Sequence, residues 1–172
     1  GEDGSHGKAA GNKNTYREEQ GMNGIFFSSA GVDKKTDQWG DMALITTSKG
    51  DISYRTAWLP ERWGSSILDF WDDLSIDGKL ENRKDEISNK PMASLDVSDV
   101  LPANSTKTIR FLITWYFPNR TAWSEVPLQN YYSTKYSDSW DVALKTVPKL
   151  QDLEKKTIEF VNAFCSSEIP SD

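Results

Sequence analysis

The sequence predicts a mainly β fold with a short helix and a long C-terminal helical segment, and three patterns lead to that prediction. Residues 109–117 alternate between two faces, which is the period of a β-strand, and this strand stops at Pro118. Apolar residues recur at helical spacing near 66–75, which predicts the short helix. They recur again at steps of three to five residues over about 138–166, which predicts the C-terminal helical segment.

The strand at 109–117 is apolar or aromatic on both of its faces. The odd positions are Ile109, Phe111, Ile113, Trp115 and Phe117, and the even positions are Arg110, Leu112, Thr114 and Tyr116. An apolar strand face is expected to be covered by another layer of the domain. We therefore expect this strand to be covered on both sides.

The elements that precede this strand are weaker signals. Residues 1–21 contain five glycines and few apolar side chains, so they are expected to form a flexible tail or loop. Residues 24–29 predict a short strand. Two further strands are expected at 41–48 and 51–58, and the Lys49-Gly50 pair between them indicates a hairpin turn.

The short helix, one more strand and the C-terminal segment follow. Ser65 or Ser66 is the candidate N-cap of the short helix, and Gly78 is expected to end it. Residues 91–98 alternate between polar and apolar side chains, which predicts a strand with one solvated face. Pro148 is expected to kink or divide the C-terminal segment, because proline lacks the backbone N–H that a helix needs.

The charge balance restricts the class of partner. The 172 residues include 20 Lys and Arg against 26 Asp and Glu, which gives a net charge of −6. This balance argues against nucleic acid or an anionic membrane as the main partner. There is no apolar run of about 18 residues, so we expect no transmembrane segment. The first residue is Gly and not Met, so removal of a leader is open, and both an exported and a cytoplasmic location fit.

Residues that often serve in catalysis and metal binding are scarce. Cys165 is the single cysteine and falls in an apolar helical pattern, so we expect a core position and no intrachain disulfide. His6 is the single histidine and lies in the Gly-rich start, which argues against a Ser-His-Asp triad and most zinc sites. No calcium loop, phosphate loop or dinucleotide fingerprint is present. We expect no metal site and no cofactor.

The densest aromatic cluster supplies the candidate carbohydrate contacts. Trp58, Trp63 and Trp71 lie close in sequence, and Glu61 and Arg62 stand between the first two. Aromatic rings beside carboxylate and guanidinium groups are suited to stacking on a sugar ring and bonding its hydroxyls. Tryptophan also packs well where a helix meets a sheet. Sugar contact and core packing are therefore both open for this cluster.

Three carboxylates on the short helix raise the question of catalysis. Glycoside hydrolysis needs a pair of carboxyl groups that face each other across a cleft. Asp69, Asp72 and Asp73 lie within five residues on one amphipathic helix. Such a group is more often the solvated face of the helix, and we favour that explanation.

Three stretches, at 70–82, 92–120 and 131–170, resemble the later part of the N-terminal β-sandwich domain of glycoside hydrolase family 116. The shared features are a helix with Phe-Trp and an acidic pair, a Phe-x-x-x-Trp strand closed by proline, a Tyr-x-x-x-Tyr segment, and a long helix followed by Ser-x-Ile-Pro. The family includes β-glucosidases and glucosylceramidases. The resemblance implies an antiparallel β-sandwich over 22–136 and, over 137–172, a C-terminal helix and linker toward a catalytic domain.

The resemblance also assigns the chemistry to a part that this sequence is expected to lack. In the family, an (α/α)6 barrel carries a Glu nucleophile and an Asp acid/base, and it hydrolyses β-glucosides with retention. None of these catalytic residues maps onto a position of this sequence. The expected function is therefore a non-catalytic β-sandwich portion that supports the barrel and helps to shape its cleft. Its substrate class would be β-glucosides or glucosylated lipids.

Two other classes of function fit the same residues. A stand-alone carbohydrate-binding module would use the tryptophan cluster, and it predicts a change in tryptophan fluorescence on titration with sugars. A structural or interaction domain of a secreted protein would use the C-terminal helix, and it predicts self-association that depends on residues 149–172.

Overall fold

The computed structural model describes residues 11–59, 64–82 and 91–167. Eight strands lie in these ranges: β1 (Asn12–Glu19), β2 (Met22–Ser29), β3 (Asp41–Thr46), β4 (Asp51–Arg55), β5 (Ser94–Ser98), β6 (Phe111–Tyr116), β7 (Asn119–Thr121) and β8 (Pro127–Gln129). The same ranges hold three α-helices: α1 (Ser65–Asp77), α2 (Ser139–Thr146) and α3 (Leu150–Cys165). Two 3-10 turns, Tyr131–Thr134 and Val147–Lys149, flank α2.

The described strands form three sheets, and every pairing is antiparallel. The main sheet has the order β1-β2-β3-β6, so β6 lies at one of its edges. Strands β4 and β5 form the small sheet, and β7 and β8 form a hairpin. The predicted mainly β class with a short helix and a long C-terminal helical segment is confirmed.

One face of the main sheet packs against α2. The core consists of Met22, Phe26, Ala43 and Ile45 of the sheet with Trp140 and Ala143 of α2. Leu112, Leu144 and Val147 pack against this cluster. Helix α2 begins at this interface because Asp138 caps it and accepts a hydrogen bond from the Asp141 N–H at 2.7 Å.

The small sheet covers part of the opposite face of the main sheet. The rings of Tyr16 on β1 and Tyr54 on β4 stack with their centroids 3.8 Å apart. The buried side-chain amide of Asn14 on β1 donates to the carbonyl oxygens of Thr56 and Pro91, each at 2.9 Å. The small sheet is therefore a second layer over the β1 side of the main sheet.

Strand β1 corrects the prediction of a flexible tail or loop over residues 1–21. Residues 12–19 pair with β2 along their whole length. Sequence signals for strands come mainly from apolar alternation, and β1 is polar at most positions. Its partners hold it by hydrogen bonds and by the stacking of Tyr16 instead. Residues 1–10 lie outside the described part of the chain.

The predicted hairpin of 41–48 with 51–58 is wrong, although both segments contain strands. Strand β3 is flanked by β2 and β6, so neither of its edges is available to β4. The chain crosses from the main sheet to the small sheet through residues 47–50. A Cβ atom on Gly50 would lie 2.5 Å from the carbonyl oxygen of Ser98, so glycine is required here by close approach to β5 rather than by a hairpin turn.

The predicted strands at 24–29 and 91–98 are present as β2 and β5. The short helix is present as α1, but its cap differs from the prediction. Gly64, in a left-handed conformation with φ 84°, is the N-cap, because Ser65 and Ser66 already lie inside the helix. Gly78 follows the last turn with φ 76°, as predicted for a glycine that ends a helix.

Pro148 divides the C-terminal segment, as predicted. Helix α2 ends before the 3-10 turn that contains Pro148, and α3 begins directly after that turn. Helix α3 buries none of its residues among the described parts of the chain. Cys165 is therefore exposed, and the prediction of a core position for it is wrong.

Strand β6 is covered on one face only by the described residues. Its even positions face the core and α2, whereas Phe111, Ile113 and Trp115 are exposed. Cover of the odd face is therefore not supplied by the described residues and stays a prediction. The layer that the odd face would need is not among the described residues, since the small sheet lies over the β1 side.

Candidate functional site

Three aromatic rings, which we name the aromatic row, run from the small sheet onto α1. Trp58 stacks on Phe70 with centroids 4.8 Å apart and an angle of 18° between the planes. Phe70 meets Trp71 edge to face at 5.5 Å. The indole N–H of Trp58 donates to the Ser94 hydroxyl at 2.8 Å. Trp58 is thereby half-buried and fixed, whereas Trp71 is 58% exposed.

The aromatic row brings together two of the five predicted carbohydrate contacts. Trp58 and Trp71 are linked through Phe70, which the sequence prediction missed. Phe70 precedes Trp71 in the sequence, and its position on the predicted helix could have identified it as a member of the aromatic cluster. Glu61, Arg62 and Trp63 lie outside the described residues.

A completely buried arginine lies beneath the aromatic row. Arg55 on β4 makes two ion pairs of 2.6 Å with α1, one to Asp69 through Nη1 and one to Asp73 through Nη2. Its guanidinium carbon lies 5.9 Å from the centre of the Phe70 ring. Arg55 was not predicted, because nothing in the alternation of β4 indicates that its last residue points toward a helix.

These ion pairs correct the expected solvated face of α1. Asp73 is buried and also accepts a hydrogen bond from the Glu81 N–H at 2.9 Å, so it anchors the segment that follows the helix. Asp69 is largely shielded as well, and Asp72 alone of the three is exposed. We still favour a non-catalytic role for these three carboxylates, although two of them are shielded from solvent. Two of them are bound to Arg55, which leaves no facing pair for acid/base work.

An open groove of about 440 Å³ runs beside α1. Its lining includes Ser65, Leu68, Asp69, Asp72, Ile76 and Glu81. Within the described ranges, no group of three or more His, Cys, Asp or Glu side chains is arranged to hold a metal ion. The groove is thus a shallow, acidic surface along α1, and the three rings of the aromatic row are not among its lining residues.

The carboxyl group with a raised pKa lies elsewhere, at the start of α2. Burial raises the pKa of Asp41, and hydrogen bonding with Ser139 opposes this without cancelling it. The Ser139 N–H donates to Asp41 Oδ1 at 2.6 Å. Burial, followed by the charge of Asp41, also raises the pKa of Tyr116. These shifts belong to the junction of the main sheet with α2 and not to the aromatic row.

An apolar surface lies along β6, which is an edge strand of the main sheet among the described residues, and we name it the open β6 surface. It consists of the exposed side chains of Met42, Phe111, Ile113 and Trp115. An apolar groove of about 370 Å³ borders the same strand and is lined further by Tyr132, Tyr136, Val142, Thr146 and Leu150. Edge strands with exposed apolar side chains are normally covered by another element or another chain.

The fold and these contacts define a mainly antiparallel β domain in which the buried carboxylates serve the packing. A protein-family model described as beta-glucosidase 2, glycosyl-hydrolase family 116 N-term matches residues 1–153. This match spans most of the 172 residues, so the chain belongs to the family of N-terminal domains of glycoside hydrolase family 116. The resemblance found in the sequence is thereby confirmed. A search among curated proteins found no match.

No helix among the described residues combines the length and the apolar character that a bilayer span requires.

Proposed function

We propose that this chain is the non-catalytic β-sandwich portion of a glycoside hydrolase of the β-glucosidase and glucosylceramidase type. In this proposal it supports an (α/α)6 catalytic barrel in the same polypeptide, and the barrel hydrolyses β-glucosides with retention. The observation that carries the proposal is the family match over residues 1–153.

The open β6 surface supports a role within a larger protein. Its apolar side chains lie on an edge strand, where contact with water and with other chains is unfavourable. A further part of the same polypeptide would bury this surface and satisfy the free edge of β6. A domain that worked alone would have little reason to expose such a surface.

Helix α3 gives a second, separate argument. It is 16 residues long, and its exposed apolar side chains include Leu153, Ile158, Val161 and Phe164. An amphipathic helix gains most of its stability from burying its apolar stripe. We infer that this stripe packs on the catalytic part, which would make α3 the structural link between the two domains.

The described carboxylates support the assignment of hydrolysis to the barrel. Arg55 binds both Asp69 and Asp73, and these carboxylates compensate its buried charge. Groups held in this way are poor candidates for proton transfer during a reaction. We therefore assign no catalytic role to this chain.

Sugar binding by the aromatic row is the second candidate function. Trp71 is more than half exposed, and its ring meets that of Phe70 edge to face. A ring in this position presents a face for stacking on a pyranose. In the enzyme this contact would form part of the wall of the glycoside cleft, and in a stand-alone module it would be the binding site.

The first test is the mass of the native polypeptide, detected by immunoblot with an antibody against this chain. We expect a band several-fold heavier than 19.4 kDa, with β-glucosidase activity that the 172-residue chain lacks. A native band near 19.4 kDa that binds glucosides without turnover would replace the proposal with the binding module.

The second test compares two isoleucines that are both exposed in this chain. Ile113 lies on the open β6 surface and is 61% exposed, whereas Ile76 on α1 is 83% exposed. In the 172-residue chain, Ile113→Lys and Ile76→Lys should both be tolerated. In the full polypeptide, only Ile113→Lys should lower the thermal midpoint and the activity. Equal effects of the two substitutions would contradict burial of this surface.

A further inference from the structure

The β7–β8 hairpin carries a tryptophan at its tip. Trp123 is 98% exposed. The loop is closed by a hydrogen bond from the Ala122 N–H to the Val126 carbonyl and by one from the Glu125 N–H to the Ala122 carbonyl, both at 2.9 Å. Glu125 has φ 60°, as a three-residue hairpin loop of this kind requires at that position. The tip is therefore a closed turn rather than a loose loop.

The base of this hairpin is anchored to the rest of the domain. The Asn119 side-chain amide donates to the carbonyl oxygens of Lys34 and Thr36, both at 2.8 Å. On the other strand, the Asn130 N–H donates to the Pro118 carbonyl at 2.8 Å. The backbone at the tip of the hairpin is thus held in place before any partner binds, which reduces the entropy that binding must overcome.

The main chain next to the hairpin is held equally well. The Tyr132 hydroxyl accepts a hydrogen bond from the Phe117 N–H at 2.7 Å and donates to the Phe117 carbonyl at 2.6 Å. The Asn130 side-chain amide donates to the same carbonyl at 2.9 Å. These contacts connect the hairpin to the end of β6, whose odd face belongs to the open β6 surface.

The exposure of Trp123 favours insertion of its ring into a pocket over stacking of one ring face on a sugar. A tryptophan that lies flat as a platform for a sugar has one face covered by its own protein. Trp123 has almost its entire side chain free, so both faces of the ring are available. Such a ring fits a pocket that encloses it from both sides. Tryptophan side chains in enclosing pockets are typical anchors of protein interfaces.

The charges around the tip favour a protein pocket over a lipid surface. Residues 119–129 contain one cation, Arg120, and one anion, Glu125, so the hairpin has no net charge. The whole chain carries −6, which opposes approach to an anionic bilayer. Val126 and Leu128 add exposed apolar surface on the same hairpin, as an apolar protein pocket would require.

We propose that the β7–β8 hairpin is a docking element whose Trp123 inserts into an apolar pocket of the catalytic domain of the same polypeptide. This inference rests on the proposed function, since it names the point at which the two parts lock together. The hairpin leaves β6 at the end of the strand that presents the open β6 surface. The two features would therefore contact the catalytic part side by side.

Photo-crosslinking in the full polypeptide tests this inference. Trp123→p-benzoylphenylalanine would be irradiated in the full-length protein, and the crosslinked peptides would be identified by mass spectrometry. The expected result is an intramolecular crosslink from position 123 to a peptide beyond residue 172. A crosslink to added phosphatidylcholine–phosphatidylserine vesicles, or to a second copy of the protein, would overturn the proposal.

A probe at Ile113 separates failure of this inference from failure of the proposed function. If position 113 crosslinks beyond residue 172 and position 123 does not, the hairpin proposal is wrong and the supporting role survives. If neither position crosslinks, both are wrong. Protection of Trp123 from N-bromosuccinimide oxidation by cellotetraose in the 172-residue chain would instead assign the ring to sugar binding and overturn the docking role.

Substitutions at the same position give an independent measurement. Trp123→Ala should leave the thermal midpoint of the 172-residue chain unchanged, because the side chain makes almost no contact there. In the full polypeptide it should accelerate proteolytic cleavage between the two parts, and Trp123→Phe should restore part of the resistance. An unchanged cleavage rate for Trp123→Ala would contradict the inference.

Discussion

Arg55 on β4 and Asp73 on α1 form an ion pair of 2.6 Å although neither side chain has more than slight access to solvent. Asp69 contacts the same guanidinium group from the preceding turn of the helix, also at 2.6 Å. The single arginine therefore ties α1 to the small sheet. A charge buried so completely is tolerated only while its partners remain in place.

Removal of Asp73 should be strongly destabilising. Asp73→Ala removes one of the two carboxylates that bind the buried Arg55, and it deprives the Glu81 N–H of its acceptor. We expect the free energy of unfolding to fall by about 1–3 kcal/mol, measured by urea denaturation of the 172-residue chain. Asp72→Ala is the matched control, because Asp72 is the exposed neighbour, and it should change the same quantity by no more than about 0.5 kcal/mol. Similar losses for the two variants would show that the ion pair does not hold α1.

Asp41 should make the stability depend on pH in the direction opposite to a salt-bridged carboxylate. Burial raises its folded-state pKa above the ordinary 3.8, with Asp138 raising it further and Arg17 lowering it. The folded chain therefore holds this proton more tightly than the unfolded chain does. The contribution of Asp41 is fully present below pH 3.8, falls as the pH rises toward the folded-state pKa, and is constant above it.

Two substitutions of Asp41 separate its charge from its hydrogen bond. Asp41→Asn keeps an oxygen acceptor for the Ser139 N–H and cannot ionise, so it should be at least as stable as the natural chain at pH 7. This advantage should disappear when unfolding is measured below about pH 3.8. Asp41→Ala leaves the Ser139 N–H unpaired and should cost about 1–3 kcal/mol. A pH-independent difference between the natural chain and Asp41→Asn would refute the raised pKa.

The cap of α2 should contribute measurably to its stability. Asp138→Ala removes the acceptor of the Asp141 N–H, and we expect a loss of about 1 kcal/mol in the free energy of unfolding. Asp152→Ala, in the exposed first turn of α3, removes only a surface pair with Lys156 and should cost less than about 0.5 kcal/mol. Thermal denaturation followed by circular dichroism would compare the two. A larger loss from Asp152→Ala would contradict this account of where α2 begins.

The two described tryptophans of the aromatic row should respond differently to substitution. Trp58→Ala removes a ring that stacks on Phe70 and bonds Ser94, so it should cost about 2 kcal/mol or more. Trp71→Ala should change the stability by less than about 1 kcal/mol, since the ring is mostly exposed. Trp71→Ala should also abolish the change in intrinsic fluorescence when cellotetraose is added. A response that survives Trp71→Ala would place sugar contact elsewhere.

The sequence alone predicted the helices and strands whose residues follow a periodic pattern. The spacing of apolar residues predicted α1 and the C-terminal helical segment, and Pro148 predicted its division, because helix geometry depends only on neighbours within a few positions. The alternation in 109–117 predicted β6 for the same reason. Trp58 and Trp71 lie close in sequence, but no pattern indicated that Phe70 contacts both of them.

The sequence did not predict which strands pair with each other or which elements pack together. The hairpin of 41–48 with 51–58 was a local inference, but β3 is flanked in the sheet by two other strands. Strand β1 was missed because hydrogen bonds of Asn14 and the stacking of Tyr16 hold it, and these leave little trace in hydropathy. The cap at Gly64 replaced the expected serine because the helix begins one residue earlier than the pattern suggested.

Sequence by itself determined the family, the mainly β class, the helical segments and the absence of an obvious catalytic histidine or cysteine. These follow from composition, motif order and short-range periodicity. Only the tertiary structure decided that Arg55 binds two carboxylates of α1, that the described residues leave one face of β6 uncovered, and that Trp123 is exposed at a hairpin tip. Each of those depends on which distant segments meet, and that is settled by the packing of layers, not by any spacing along the chain.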